Sequence, residues 1–206
     1  ISKGLVGSEM CIRDRYLKLG FDLLWRSLEE LEDKSLNGVV LANEVLDALP
    51  VERITNLKGK MHRQGVSIDQ KSGRLFFEAI SITKELEKNI TSAQEKLDIN
   101  IPPKYAPEGW TTEWHIDNKK WLKAIYAKIN NGILLIIDYA KEAKRYYSLG
   151  NSNGTLISYK NQKIVENVFE FPGDCDLTSH ICIESLIHDS ETLGFETIGI
   201  VKQGEA

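Results

Sequence analysis

The stretch "GVVLANEVLDALP", from Gly38 to Pro50, decides the fold because an apolar run leads directly into polar side chains. Val39 to Ala42 are all apolar, as in strands that are buried in a parallel sheet. Asn43, Glu44 and Asp47 follow at once. Ligands of open α/β sheets bind outside the carboxyl ends of the strands, so these three residues are candidates for a binding rim.

A second strand is predicted at "ILLIID", Ile133 to Asp138. A helix precedes it, with Asp117 as the expected N-cap and with Asn130 to Gly132 as its expected end. If the two strands are neighbours, the carboxylate of Asp138 shares one rim with Asn43 and the acidic residues after it.

The remaining patterns complete an α/β outline. The stretch from Val51 to Ile82 alternates and is punctuated by turn residues, which predicts antiparallel strands joined by hairpins. The other predicted elements are a helix from Tyr16 to Leu31 with helical spacing from Phe21, a short helix or turn over 44–49, a polar helix over 84–97, a helix over 184–193 ended by Gly194, and a last strand over 195–201. We therefore expect part of a doubly wound parallel sheet with an antiparallel insertion at about 51–82.

Composition excludes several classes of protein. The chain has 206 residues, a net charge of -4 and a pI of about 5.7, so it has no electrostatic footprint for nucleic acid. No apolar run approaches the roughly 18 residues of a membrane span. Cys175 and Cys182 have no partners at metal-binding spacing, so neither a metal site nor a disulfide framework is expected.

The first residues differ from the rest of the chain. "GLVGSEMCIRDR", Gly4 to Arg15, back-translates to a string that resembles a transposase sequencing adapter read in frame. We expect residues 1–15 to be a non-native, adapter-derived segment and residues 16–206 to be the native domain. A natural basic N-terminus is the alternative. Any targeting peptide would lie upstream.

The polar residues after the first strand have two interpretations. Asn43 could cap a short helix, with Glu44 and Asp47 favouring its N-terminus. Alternatively, the carboxylates could hold a cation, either a sulfonium group or a guanidinium through a bidentate pair.

A family resemblance bears on this choice. "GVVLANEVLDALPVERI" resembles the signature of the MidA-like class I S-adenosylmethionine-dependent methyltransferases, whose eukaryotic members are mitochondrial complex I assembly factors. Five further motifs follow in the family's order, and together they extend the resemblance over Tyr16 to Ala206: "EGWTTEWHID", "WLKAI", "GILLIIDYA", "NGTLISY" and "FPGDCDLTSHICIESL". The family usually has glycine where this chain has Ala140.

The resemblance implies a partial Rossmann-like class I methyltransferase sheet and S-adenosylmethionine as cofactor. The two predicted strands would be the fourth and fifth of that sheet. The family's glycine-rich cofactor turn and its ribose-binding acid do not precede Val39, so we expect a middle-to-C-terminal portion of a longer enzyme.

The implied reaction is methyl transfer to an arginine of a protein. Glu44 is the first candidate to pair with the guanidinium, and Asp47 and Glu113 are further substrate-binding candidates. His180 is the candidate proton acceptor, although it could be a structural histidine. The residues expected on the cofactor side are Asn43, Asp138 and Tyr139.

Trp110 and Trp114 are interpreted as packing residues rather than a cation-binding cage. The implied partner is a protein substrate, such as a respiratory complex I subunit or its homologue. A non-catalytic assembly factor and a small-molecule methyltransferase are the competing hypotheses. The expected location is the bacterial cytoplasm, or the mitochondrion if the source is eukaryotic; the oligomeric state is left open.

Overall fold

The computed structural model describes residues 24–205. The expected adapter-derived segment 1–15 and the first part of the helix predicted from Tyr16 lie outside the described residues. In the part that is described, that helix prediction is wrong: only a 3-10 turn forms, at Leu28–Glu30. The carboxylate of Glu30 accepts the backbone N–H of Ser27 at 2.7 Å, and Leu31 is already extended toward the first strand.

Eleven strands and four α-helices lie within residues 24–205. The strands are β1 Leu36–Asn43, β2 Glu52–Leu57, β3 Lys60–Ile68, β4 Leu75–Ile80, β5 Thr111–Trp114, β6 Ile129–Ile137, β7 Ala140–Lys141, β8 Ile157–Lys160, β9 Lys163–Val165, β10 Asp176–Thr178 and β11 Ile181–Cys182. The helices are α1 Lys84–Leu97, α2 Ile116–Lys128, α3 Ala143–Tyr146 and α4 Ile183–Leu193.

The two predicted apolar strands are neighbours, as expected. β1 and β6 pair in parallel, with Val39 opposite Ile133. The prediction that 130–132 ends the preceding helix is wrong, because these residues lie inside β6. Gly132 lies against Gly38 of β1, where a Cβ would collide with the Gly38 carbonyl oxygen, so the glycine serves strand pairing.

The two faces of this parallel pair differ. One face packs against α2, α4 and the turn after β1 through a cluster that includes Ala42, Leu46, Leu134 and Ile136. The other face leaves apolar side chains exposed: Val39, Leu41, Ile133 and Leu135. Within the described residues, the expectation of strands buried on both faces therefore holds for one face only.

The predicted antiparallel insertion is confirmed. Its sheet has the order β4-β3-β2-β5, with hairpins joining β2, β3 and β4. β5 was not predicted as a strand; it pairs with β2 and ties the insertion to the body. α1 packs on this sheet with a core that contains Trp110 and Trp114, which confirms their packing role.

Two local predictions near helices are wrong and one is confirmed. His115, not Asp117, is the N-cap residue of α2; Asp117 lies in the first turn and binds Lys120. Gly194 ends α4 with a φ of 105°, as predicted. The alternating residues 195–201 do not form the predicted strand, and Ile198 is 79% exposed. Alternation supports a strand only where a neighbouring strand is available to pair.

Candidate functional site

Three chain segments meet at the carboxyl ends of β1 and β6, and we call them the rim: residues 43–49, 138–141 and 178–182. The carboxylate of Asp138 accepts the backbone N–H groups of Leu46 at 3.0 Å and Asp47 at 3.3 Å. The third segment joins them when Ser179 N donates to the Asp47 carbonyl at 2.9 Å. The rim is thus held by hydrogen bonds between segments that are far apart in sequence.

The short pairing of β7 with β11 brings His180 to the rim. These two strands are parallel, with Ile181 opposite Ala140. Ala140 does not need a glycine-like conformation, because it is not among the described residues with positive φ. The pairing of β7 with β11 places the His180 ring beside the Tyr139 ring and nearly parallel to it, with centroids 6.0 Å apart and an interplanar angle of 18°.

Residues 44–49 form a turn, with Leu49 N donating to Leu46 O. The alternative in which Asn43 caps a helix is therefore wrong: Asn43 is the last residue of β1 and is exposed. Glu44 has a φ of 49°, a left-handed conformation that is costly for a residue with a Cβ. Its amide donates to Ile137 O at 2.8 Å, which holds it in this conformation.

The carboxylate of Glu44 faces Tyr139. The pKa of Tyr139 is raised above its ordinary value, chiefly by the negative charge of Glu44. Both side chains are exposed to solvent. Glu44 is therefore available to an incoming ligand.

Asp47 is the buried member of the rim, with 3% of its surface exposed. Burial raises its pKa to about 6, and the neighbouring carboxylates of Asp138 and Glu44 add to the shift. Its Oδ1 has no hydrogen-bond partner within residues 24–205. An unpaired buried carboxylate oxygen is costly and is expected at functional sites.

The carboxylate of Asp138 is engaged mainly in hydrogen bonds within the rim. Its second oxygen accepts the Tyr139 N–H at 2.8 Å, so its carboxylate holds three backbone amides in all. Burial nevertheless raises its pKa above the ordinary value, against the effect of those hydrogen bonds.

His180 has the properties of a neutral imidazole. Burial and the nearby charge of Lys141 lower its pKa, against the opposing charges of Glu113 and Asp138. Among the residues described, its Nδ1 is buried and has no hydrogen-bond partner. An unprotonated ring nitrogen next to an acidic rim is suited to accept a proton.

Glu113 is fully buried, and its carboxylate is engaged inside the chain. Its Oε1 lies 3.3 Å from Arg53 Nε, and its Oε2 accepts the backbone N–H of Thr155 at 2.7 Å. The predicted contact of Glu113 with a substrate guanidinium disagrees with this burial, because Arg53 already occupies that side of the carboxylate.

Sequence reasoning missed three residues of this arrangement: Arg53, Thr155 and Ser179. Thr155 lies in the motif "NGTLISY", but the pattern does not reveal its partner Glu113, 42 residues away. Arg53 lies near the end of the first family motif, and nothing but its charge distinguished it there. Ser179 contributes mainly a backbone N–H, which no sequence pattern distinguishes.

Within residues 24–205, no group of three or more potential ligand side chains is placed to hold a metal ion. Across the same residues, no helix has the length and apolar character needed to cross a membrane. A cleft of about 170 Å³ lies between α1 and α4, lined by residues that include Lys96, Trp114 and His188. Cys182 of the rim lines this cleft, but the acidic residues of the rim do not.

Comparisons with known proteins identify solved structures with a similar fold. Two solved structures from Burkholderia thailandensis match the chain. One is described as a "likely methyl transferase" bound to S-adenosyl-homocysteine, with a TM-score of 0.67 and 26% identity over 80% of this chain. The other is described as an uncharacterized protein of the same superfamily, with a TM-score of 0.66 and 27% identity over 78% of this chain.

The chain spans about 40% of the length of each of these structures. The similarity confirms the predicted fold class, a partial Rossmann-like methyltransferase sheet with an antiparallel insertion. A comparison with curated proteins gives no match.

A family profile described as "Putative S-adenosyl-L-methionine-dependent methyltransferase" matches residues 11–201. This span covers nearly the whole chain and includes every residue of the rim. The chain therefore belongs to this family of S-adenosylmethionine-dependent methyltransferases, as its resemblance to the MidA-like members predicted.

Proposed function

We propose that this chain forms the substrate side of the active site in a methyltransferase that transfers a methyl group from S-adenosylmethionine to an arginine of a protein. The observation that carries the proposal is the group of three carboxylates at one rim, Glu44, Asp47 and Asp138. Burial raises the pKa of Asp47, and the negative charges of Asp138 and Glu44 add to the shift. A bound cation would relieve this repulsion, so the rim favours a positively charged ligand.

The rim also suits the cofactor of the family. S-adenosylmethionine carries a sulfonium cation, and the carboxylate and amide oxygens of Asp138 and Asn43 are groups that attract a cation. Tyr139 adds an exposed aromatic ring beside them. We assign Asn43, Asp138 and Tyr139 to the cofactor side. When bound, the cofactor supplies an electrophilic methyl group.

Glu44 is assigned to the substrate arginine. A guanidinium stays charged at neutral pH, since its pKa exceeds about 12. Two carboxylate oxygens can hold two of its nitrogens in one plane, which leaves the third aimed at the methyl carbon. The left-handed backbone of Glu44 supports this role, because such strain is concentrated at functional sites. Asp47 lies beneath it as a second, buried carboxylate.

His180 is assigned to the proton that the arginine loses. Transfer of the methyl group would form a nitrogen–carbon bond as the carbon–sulfur bond breaks, and the guanidinium would have to release one nitrogen-bound proton so that the methylated product keeps a single positive charge. The imidazole of His180 lies beside Tyr139 at the rim and is the group assigned to take that proton. Its lowered pKa keeps it unprotonated at neutral pH before the reaction.

The antiparallel insertion supports a protein substrate. The hairpin of β3 and β4 leaves several large apolar side chains exposed: Val66, Ile68, Phe76 and Ile80. Val66 and Ile68 share one face of this hairpin, and an exposed apolar face favours contact with another protein. A respiratory complex I subunit or its homologue remains the candidate client that the family resemblance suggests.

The test uses the longest reading frame that contains this chain, expressed with cell extract and S-adenosylmethionine labelled in its methyl group. We expect label in the protein fraction. Label only in small molecules would favour a small-molecule methyltransferase. Association with a client without any transfer of label would favour a non-catalytic assembly factor. Either result would contradict the proposal.

A further inference from the structure

Glu113, Thr155 and His180 form a continuous chain of contacts between the insertion and the rim. Thr155 Oγ1 donates to Glu113 Oε2 at 3.0 Å and accepts the backbone N–H of His180 at 3.0 Å. Arg53 of β2 lies on the other oxygen of Glu113 at 3.3 Å. The backbone of His180 is thereby connected to a strand of the insertion sheet.

The Thr155 hydroxyl has no unused capacity in this arrangement. A hydroxyl has one proton to donate and two lone pairs to accept with. Its proton goes to Glu113, and its lone pairs face the His180 N–H and the Tyr146 hydroxyl, 3.2 Å away. A carboxylate can only accept, so Glu113 fixes the direction of the Thr155 proton and leaves a lone pair facing His180.

Arg53 helps to hold the Glu113 carboxylate in place. Its guanidinium also donates to Asn153 O at 3.0 Å and lies over the Phe77 ring at 4.5 Å. Gly154, with a φ of 75°, lies so close to the Glu113 carboxylate that a Cβ would collide with it. The backbone at 153–155 is thus shaped around this one carboxylate.

We propose that Glu113 is a positioning residue for His180 and acts through the Thr155 hydroxyl. The proposal rests on the proposed function in one respect, that His180 accepts the substrate proton. In this proposal the buried Arg53–Glu113 pair helps to position His180 at the rim, in addition to joining β2 to β5.

The first test compares Thr155→Val, Thr155→Ser and the control Thr112→Val in this chain. Thr112 is a fully buried neighbour of Glu113, and its hydroxyl has no hydrogen-bond partner within the described residues. We expect the His180 amide to exchange its hydrogen about tenfold faster in Thr155→Val, because it loses its acceptor. Thr155→Ser keeps the hydroxyl and should restore protection. Equal exchange in Thr155→Val and Thr112→Val would overturn the proposal.

Glu113→Gln provides a second readout if Thr155→Val folds poorly. The carboxylate of Glu113 raises the pKa of His180, against burial and Lys141, and Asp138 also raises it. Removing the Glu113 charge should therefore lower the pKa of the imidazole further, as followed by NMR titration. An unchanged imidazole pKa in Glu113→Gln would contradict the proposed coupling.

Turnover measured for variants of the protein encoded by the longest reading frame distinguishes failure of the positioning role from failure of the proposed function. We expect turnover to fall about tenfold in Thr155→Val with little change in KM, and Thr155→Ser to recover it. Turnover lost in His180→Gln but unchanged in Thr155→Val would overturn the positioning role alone. Unchanged turnover in His180→Gln would overturn the assignment of His180 in the proposed function.

Discussion

Glu44→Gln is the most informative single change, because glutamine keeps the shape of the side chain and removes its charge. The backbone conformation costs both residues the same, and residues 44–49 form a turn without a helix to cap. We therefore expect the melting temperature and the cofactor affinity to stay unchanged. A charge-assisted pair contributes about 1.5–3 kcal/mol, so turnover should fall by about one to two orders of magnitude.

Glu44→Gly tests the strain directly. Relief of the left-handed conformation should gain about 1–2 kcal/mol, and the greater freedom of glycine in the unfolded chain should offset about 0.5–1 kcal/mol. We expect a net gain in stability of up to about 1.5 kcal/mol, together with loss of methyl transfer. Lys58→Gly is the matched control, since Lys58 has a φ of 52° in the hairpin turn between β2 and β3. It should gain similar stability and keep full turnover.

The assay measures transfer of labelled methyl to protein by the longest reading frame, with thermal melts and cofactor titration of each variant. Turnover of Glu44→Gln equal to that of the unaltered protein would refute the reasoning. A lowered melting temperature with a proportionate loss of cofactor binding would show that Glu44 is a structural residue instead.

Two further predictions concern protonation and the cofactor. The pKa of Asp47 is raised to about 6 in the fold, so the folded state loses stability as pH rises from about 4 to 6 and the ionised carboxylate forms. Asp47→Asn should therefore raise the melting temperature at pH 7.5 and leave it unchanged at pH 4, and an equal gain at both pH values would contradict this cause. The 206 residues contain no glycine-rich turn ahead of Val39, so calorimetry of this chain alone should detect no binding of S-adenosylmethionine; micromolar affinity would refute the placement of the two apolar strands as the fourth and fifth of the sheet.

Local patterns predicted much of the secondary structure. The polar helix over 84–97 has the predicted bounds, and the hairpins of the insertion follow from their turn residues. The pairing of β1 with β6 followed from two short apolar runs that end in polar residues. The helix and the hairpins depend on interactions between residues that are close in sequence. The β1–β6 pair depends on the similar apolar pattern of its two strands.

Contacts between residues far apart in sequence determine the parts of the structure that the local patterns did not predict. His180 reaches Tyr139 only because β11 pairs with β7, about 40 residues earlier in the chain. Glu113 carries the same sequence signal as a surface carboxylate, and only the fold shows Arg53 and Thr155 around it. The predicted strand over 195–201 failed for the same reason, since an alternating pattern does not specify a partner.

Amino-acid analysis of the labelled protein product tests the central claim most directly. The longest reading frame that contains this chain is incubated with extract and methyl-labelled S-adenosylmethionine, and the protein fraction is hydrolysed to amino acids. The acidic rim of Glu44, Asp47 and Asp138 predicts that the label is recovered as methylarginine. Label recovered in a different amino acid, or no label in protein at all, would contradict it.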